Sequence, residues 1–167
     1  NQMKLLLLSA LLAITSSVSY AQATDVQTAR GMVSIAEKPE RVAVFDMAAL
    51  DTLASIGVKP AGVPEKLYLE TLERLKRGAE IVGNIFEPDI EALSSLGPDL
   101  IILGGRSSTK VDQTAAIAPT IDMTMLGDDL VAQAKERLAT YGALFGKQEE
   151  AQKVSADLDE RVRAAQQ

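Results

Sequence analysis

The chain has 167 residues, 47% hydrophobic and 24% charged, with no cysteine, histidine or tryptophan. That length suits a single domain able to bury a core without disulfide or metal staples. Missing imidazole and thiolate exclude His-ligated zinc, Ser-His-Asp or Cys-His catalysis and thiol redox chemistry. The formal charge of -6 argues against a nucleic-acid binder, which needs a basic face to neutralise phosphates.

The first segment reads as an address. Lys4 precedes an apolar run from Leu5 to Ile14, a more polar stretch to Tyr20, and Ala21-Gln22-Ala23. A positive start, a leucine-rich centre and a small-x-small end describe a signal peptide over residues 1–23, cleaved after Ala23. The apolar run is too short to span a bilayer, and no cysteine follows it to carry a lipid anchor. Removing residues 1–23 would leave a net charge of -7, one lysine having gone with no acid.

Strands and helices then alternate. Met32 to Ile35 and Arg41 to Phe45 are β-branched runs separated by Glu37-Lys38-Pro39. Leu50, Leu53 and Ile56 recur at helical spacing behind Asp46 as N-cap, with Gly57 and Pro60 as stop signals. The pattern repeats: a strand at Pro60 to Val63, an amphipathic helix from Lys66 to Arg77, a strand at Glu80 to Val82, and a helix from Pro88 to Leu96 with proline in its first turn. Leu100-Ile101-Ile102-Leu103 lacks polar alternation, as a strand buried on both faces requires. A helix around Val111 to Ile117, a strand at Thr120 to Met123 and a helix from Asp128 to Phe145 follow.

The expected fold is therefore α/β, a mostly parallel sheet with helices on both faces over residues 24–146. Residues 147–167 open a separate long helix, with Ala151, Val154, Leu158, Val162 and Ala165 on one stripe. Glu149 to Lys153, Asp157 to Arg161 and Asp159 to Arg163 are spaced for ion pairs along it.

In such sheets ligands bind at the carboxyl ends of the strands. The loops there supply the candidate contacts Asp46, Met47, Lys66, Asn84, Arg106 and Ser107. Gly104-Gly105-Arg106-Ser107-Ser108 is the most specific of them: glycines permit close approach, and arginine offers a cationic fork to carboxylate, catecholate or phosphate oxygens. A solvated turn with a snorkelling arginine is the plainer alternative. The P-loop ending Gly-Lys-Ser/Thr and the third glycine of a dinucleotide fingerprint are both absent.

Glu87, Asp89 and Glu91 surround a helix start, where acids complement the helix dipole. Glu91, read as a full turn inside the helix, suits either docking to a basic partner or a solvated face. Tyr68 and Tyr141 are expected on helices, packed in the core with wet hydroxyls.

Taken in order, Arg41-Val42-Ala43-Val44-Phe45-Asp46, Leu53-Ala54-Ser55-Ile56-Gly57-Val58, Val82-Gly83 with Glu87-Pro88-Asp89-Ile90-Glu91, and Pro98-Asp99-Leu100-Ile101-Ile102 resemble one family. It is the class III periplasmic substrate-binding proteins of ABC importers, in particular their iron-siderophore branch. The resemblance implies two α/β lobes joined by a long helix, with the ligand held between the lobes. By it the chain carries the signal peptide, the N-terminal lobe and the start of that helix, and lacks the C-terminal lobe. It places Arg106 facing an anionic ferric complex and Glu91 against arginines of the permease.

The expectation is a monomeric periplasmic protein, not an enzyme, that captures a ferric siderophore and delivers it to an inner-membrane permease. Iron would travel inside the ligand, with no protein metal ligand and no cofactor bound directly. Two alternatives stand beside it: haem or cobalamin binding on the same scaffold, and an α/β enzyme with Arg106 as oxyanion clamp and Glu87 as acid or base.

Overall fold

The computed structural model describes residues 22–167. The apolar run from Leu5 to Ile14 and Ala21 of the expected cleavage motif lie outside the described residues. The described residues form seven strands and six α-helices, in the order β1 (Thr24–Thr28), β2 (Gly31–Ile35), β3 (Val42–Val44), α1 (Met47–Ser55), β4 (Gly62–Val63), α2 (Glu70–Glu73), β5 (Glu80–Ile81), α3 (Ile90–Leu96), β6 (Leu100–Leu103), α4 (Val111–Ala115), β7 (Thr120–Asp122), α5 (Leu130–Phe145) and α6 (Gln148–Ala165).

Five strands form one parallel sheet in the order β5-β4-β3-β6-β7. The chain enters at β3, builds outward through β4 and β5, then crosses back to lay β6 on the other side of β3. This reversal makes the carboxyl ends of β3 and β6 a topological switch point, where connections diverge and leave a crevice.

Successive side chains of a strand point to opposite faces, and β3 and β6 use this to feed two cores. Val42, Val44, Leu100 and Ile102 pack with residues of α1, α5 and α6. Ala43, Phe45, Ile101 and Leu103 pack with Leu93 and Leu96 of α3 and with Ala118. All four residues of β6 are buried, as its unbroken apolar run requires.

Caps fix where the helices begin. Asp46 accepts from the Ala49 N–H, Asp89 from the Ala92 N–H and Asp129 from the Ala132 N–H, each satisfying an otherwise orphaned amide. Helix α5 ends on Gly146 in the left-handed region at φ 66°. Helix α6 packs closely on α5, where a Cβ on Gly142 would lie 2.8 Å from the Ala151 Cβ.

Several elements differ from the sequence reading. Thr24–Thr28 forms a strand that pairs antiparallel with Gly31–Ile35; its pattern is polar because only Val26 and Thr28 are buried. The expected helix from Lys66 to Arg77 shrinks to α2 and a 3-10 turn at Arg74–Lys76. Residues 64–69 form a loop, because Leu67 must turn into the core while Tyr68 takes φ 61° and points outward. Pro88 precedes α3 and bridges to Gly83, so Glu91 stands in the first turn of α3, not a full turn inside it. Among the described residues none of the three expected ion pairs along α6 forms. Asp159 reaches across instead to Lys135 of α5 at 2.8 Å.

Candidate functional site

The loops at the carboxyl edge are bound to one another. After β4, the Glu65 N–H donates to the Gly83 carbonyl at 2.8 Å. After β5, residues 83–88 make a tight turn in which Asn84 Oδ1 accepts from the Phe86 and Glu87 amides, both at 2.9 Å. Gly83 is obligatory there: its φ is 123°, and a Cβ would lie 2.5 Å from the Glu87 carbonyl oxygen. The turn leaves Phe86 half exposed at its tip.

Arg106 stands over that ring, its guanidinium carbon 5.4 Å from the centroid. The aromatic face attracts the cation and holds its plane without using its N–H donors. Arg106 is exposed and makes no ion pair among the described residues. It rides on a 3-10 turn, Gly105–Lys110, that leaves β6. Lys110 ties this turn to the neighbouring one through Glu87, at 3.6 Å.

Beneath Arg106 the loop is pinned from inside. Ser107 is wholly buried; its Oγ accepts from the Gly104 N–H and has the Phe45 and Gly104 carbonyls at 3.1 Å as acceptors. Ser107 therefore positions the loop and does not offer a hydroxyl to a ligand, which corrects its expected role. The Gly105 N–H donates to Thr124 Oγ1 at 3.0 Å, joining the loop to the end of β7.

The other candidates divide between the open edge and its support. Lys66 is exposed, with its Nζ 5.0 Å from the Tyr68 ring centroid. Asn84 is half-buried with its carbonyl spent on the turn, so its amide NH2 is the part left for a ligand. Met47 opens α1 on the same edge, half-buried.

Asp46 faces inward. Burial raises its carboxyl above the usual aspartate value, against the opposing pull of the Ala49 amide and Arg137. Its neighbour Tyr141 is fully buried, and its hydroxyl has no protein partner among the described residues; Tyr68, by contrast, is exposed and off any helix.

Sequence reasoning missed four residues of this edge: Arg30, Phe86, Asp122 and Arg137. Arg137 sends its guanidinium from α5 toward the Met123 and Thr124 carbonyls, at 3.4 and 3.2 Å. Asp122 is buried; burial alone would raise its carboxyl, but hydrogen bonds from Thr124 and Arg30 prevail and hold it below the ordinary value. No local pattern marks these residues, because the contacts between Arg30 and Asp122, Phe86 and Arg106, and Arg137 and Met123 join positions well separated in sequence.

Among the described residues no cluster of three or more carboxylates could hold a metal ion, and no helix is long and apolar enough to cross a membrane.

The architecture is that of an open parallel α/β sheet whose carboxyl-edge loops flank a topological switch point. The sequence matches the periplasmic binding protein family over residues 42–167, and the chain belongs to that family. It is similar to the putative ABC transporter substrate-binding lipoprotein YhfQ of Bacillus subtilis, at 34% identity over 97% of this chain and 53% of the relative. The petrobactin-binding protein YclQ of Bacillus subtilis is 30% identical over 77% of this chain and 41% of its own length. The solved structure of the siderophore-binding protein BauB, bound to a complex of two acinetobactin molecules and ferric iron, aligns with a TM-score of 0.80 at 29% identity, covering 87% of this chain and 54% of that one.

The chain thus spans about half the length of the relatives it matches. The family is one of binding proteins, which sets aside the enzyme alternative built on Arg106 and Glu87. Further relatives at 30% and 28% identity are named as the ferric-anguibactin-binding protein FatB of Vibrio anguillarum and the Fe(3+) dicitrate-binding periplasmic protein FecB of Escherichia coli.

Proposed function

We propose that this chain is the first lobe of an ABC importer's binding protein that captures a ferric siderophore and delivers it to the permease. The observation that carries this reading is Arg106: exposed, unpaired among the described residues, stacked on Phe86 and set at the switch point of the sheet. The relatives named for petrobactin and ferric anguibactin support the ligand class.

The chemistry is capture. A siderophore saturates ferric iron with its own oxygens, so the protein binds the outside of an anionic chelate. Arginine's planar fork meets such oxygens with charge-assisted hydrogen bonds, while Lys66 and the Asn84 amide add donors along the wall. The opposite wall would come from a C-terminal lobe, reached through the helix that residues 147–167 begin. Residues 1–23 act as the export signal and leave Thr24, the first residue of β1, as the mature N-terminus.

The test is a titration of the two-lobe protein with ferric catecholate, citrate and hydroxamate chelates and with haem, followed by tyrosine fluorescence. Tight, stoichiometric binding of a ferric chelate is expected. Binding of haem alone, or of no chelate, would overturn the reading.

A further inference from the structure

The hairpin β1–β2 brings a second arginine to the same edge, from a segment that precedes the matched residues 42–167. We propose that Arg30 is a direct contact for the anionic ligand, a second cationic group on the wall that carries Arg106.

The hairpin turn is held rigidly. Thr28 Oγ1 donates to the Gly31 carbonyl at 2.7 Å and accepts from the Arg30 N–H at 3.0 Å. The Ala29 N–H donates to the Asp122 carbonyl at 2.8 Å, docking the turn at the end of β7. From there the Arg30 side chain spans two loops: Nε donates to Asp122 Oδ2 at 3.1 Å, and one terminal NH2 donates to the Ser108 carbonyl at 2.8 Å.

Both acceptors are themselves fixed. Asp122 is buried, and its other oxygen receives the Thr124 amide and hydroxyl at 3.1 and 2.6 Å. Ser108 lies two residues past Arg106 on the same 3-10 turn. The guanidinium is thus oriented before any ligand arrives, which lowers the ordering cost of binding.

These contacts use two of the five N–H donors of an arginine. The side chain remains 52% exposed on the edge that Arg106 shares. Asp122 offsets part of the charge, and the remainder faces the open edge as a cation.

This inference rests on the ferric-chelate reading, and it competes with a plainer role in which Arg30 only staples the hairpin to the Arg106 loop. The two roles differ in what lysine can replace. A cation that meets the ligand is largely restored by lysine, whereas a staple to two separate acceptors needs the fork.

The experiment uses the two-lobe protein with an iron(III) tricatecholate chelate, a multiply charged anion, as probe. Arg30→Gln should weaken binding by about 10- to 100-fold, the loss of one hydrogen bond to a charged group, and Arg30→Lys should recover most of it. Wild-type affinity in Arg30→Gln, or Arg30→Lys as weak as Arg30→Gln, would overturn the inference while leaving the ferric-chelate reading intact. A wild-type protein that binds no ferric chelate would instead remove that reading, and this inference with it.

Discussion

The carboxylate of Asp46 fills the space that a side chain on Gly104 would take. A Cβ at Gly104 would lie 2.8 Å from Asp46 Cγ, so the loop carrying Arg106 and the cap of α1 fit only because residue 104 has no side chain. The ends of β3 and β6 are therefore matched as a pair.

Gly104→Ala should destabilise the protein by about 1–3 kcal/mol, the usual cost of overpacking a closed site. Asp46→Ala alone loses a cap worth about 1 kcal/mol, but it also vacates the contested space. The double variant should consequently lose less than the two single losses combined, measured by urea unfolding. Simple additivity would show that the two residues do not compete.

Asp46 and Asp122 should give opposite pH dependences. Burial raises the Asp46 carboxyl above its ordinary 3.8, so the folded chain holds that proton more tightly than the unfolded chain, and ionisation costs stability. Asp46→Asn, which keeps an acceptor for the Ala49 amide, should be more stable than wild type near neutral pH, with the gain vanishing below the ordinary value. The Asp122 carboxyl is held below 3.8 by Thr124 and Arg30 against the effect of its burial. Its contribution is complete above that value and is lost as pH falls through the lower folded one, so Asp122→Asn should be destabilised near neutrality and converge with wild type in acid. Thermal melts across the acid range read both signs.

Tyr141→Phe removes a buried hydroxyl that has no hydrogen-bond partner among the described residues. Burial and the Asp46 carboxylate push this phenol far above its usual range, so it stays protonated. An unpaired buried polar group costs about 1–3 kcal/mol, and chemical denaturation should show the phenylalanine variant at least as stable as wild type. A clear loss would reveal a partner for the hydroxyl.

Arg106→Ala should weaken ferric-chelate binding by the two-lobe protein by about 1.5–3 kcal/mol. Its melting temperature should change little, since the side chain is exposed and its contact within the fold is the Phe86 face. Calorimetric titration alongside thermal unfolding separates the two effects, and an unchanged affinity would move the site elsewhere.

Glu91 is exposed in the first turn of α3 and makes no ion pair among the described residues. Glu91→Ala should leave ligand affinity unchanged and reduce uptake through the permease, because an interface charge acts on the partner. Wild-type uptake by the variant would return Glu91 to the role of a solvated helix acid.

Where the sequence was legible, the signal was local. The run Leu100-Ile101-Ile102-Leu103 announced a strand buried on both faces, and Asp46 and Gly146 marked helix ends through chemistry confined to a few neighbouring residues. What stayed hidden depends on distant partners. Ser107 reads as a ligand contact, whereas its hydroxyl is engaged by the Phe45 carbonyl from another strand end, and Lys66 to Arg77 keeps a helical period although Leu67 and Tyr68 are turned in opposite directions. Arg30 sits in a polar stretch with no motif; only Asp122 and Ser108 give it a place.

The position of β3 also bears on how the chain reaches this fold. Ala43 pairs with Gly62 on one side and with Ile101 on the other. During synthesis the first partner emerges soon after β3, but the second follows only once an entire wing of the sheet has been made. Until then an almost wholly apolar strand has an open edge, the kind of surface that invites pairing with another chain. Nonlocal closure of this type slows folding, so the arrival of β6 should be the step at which a nascent chain escapes aggregation.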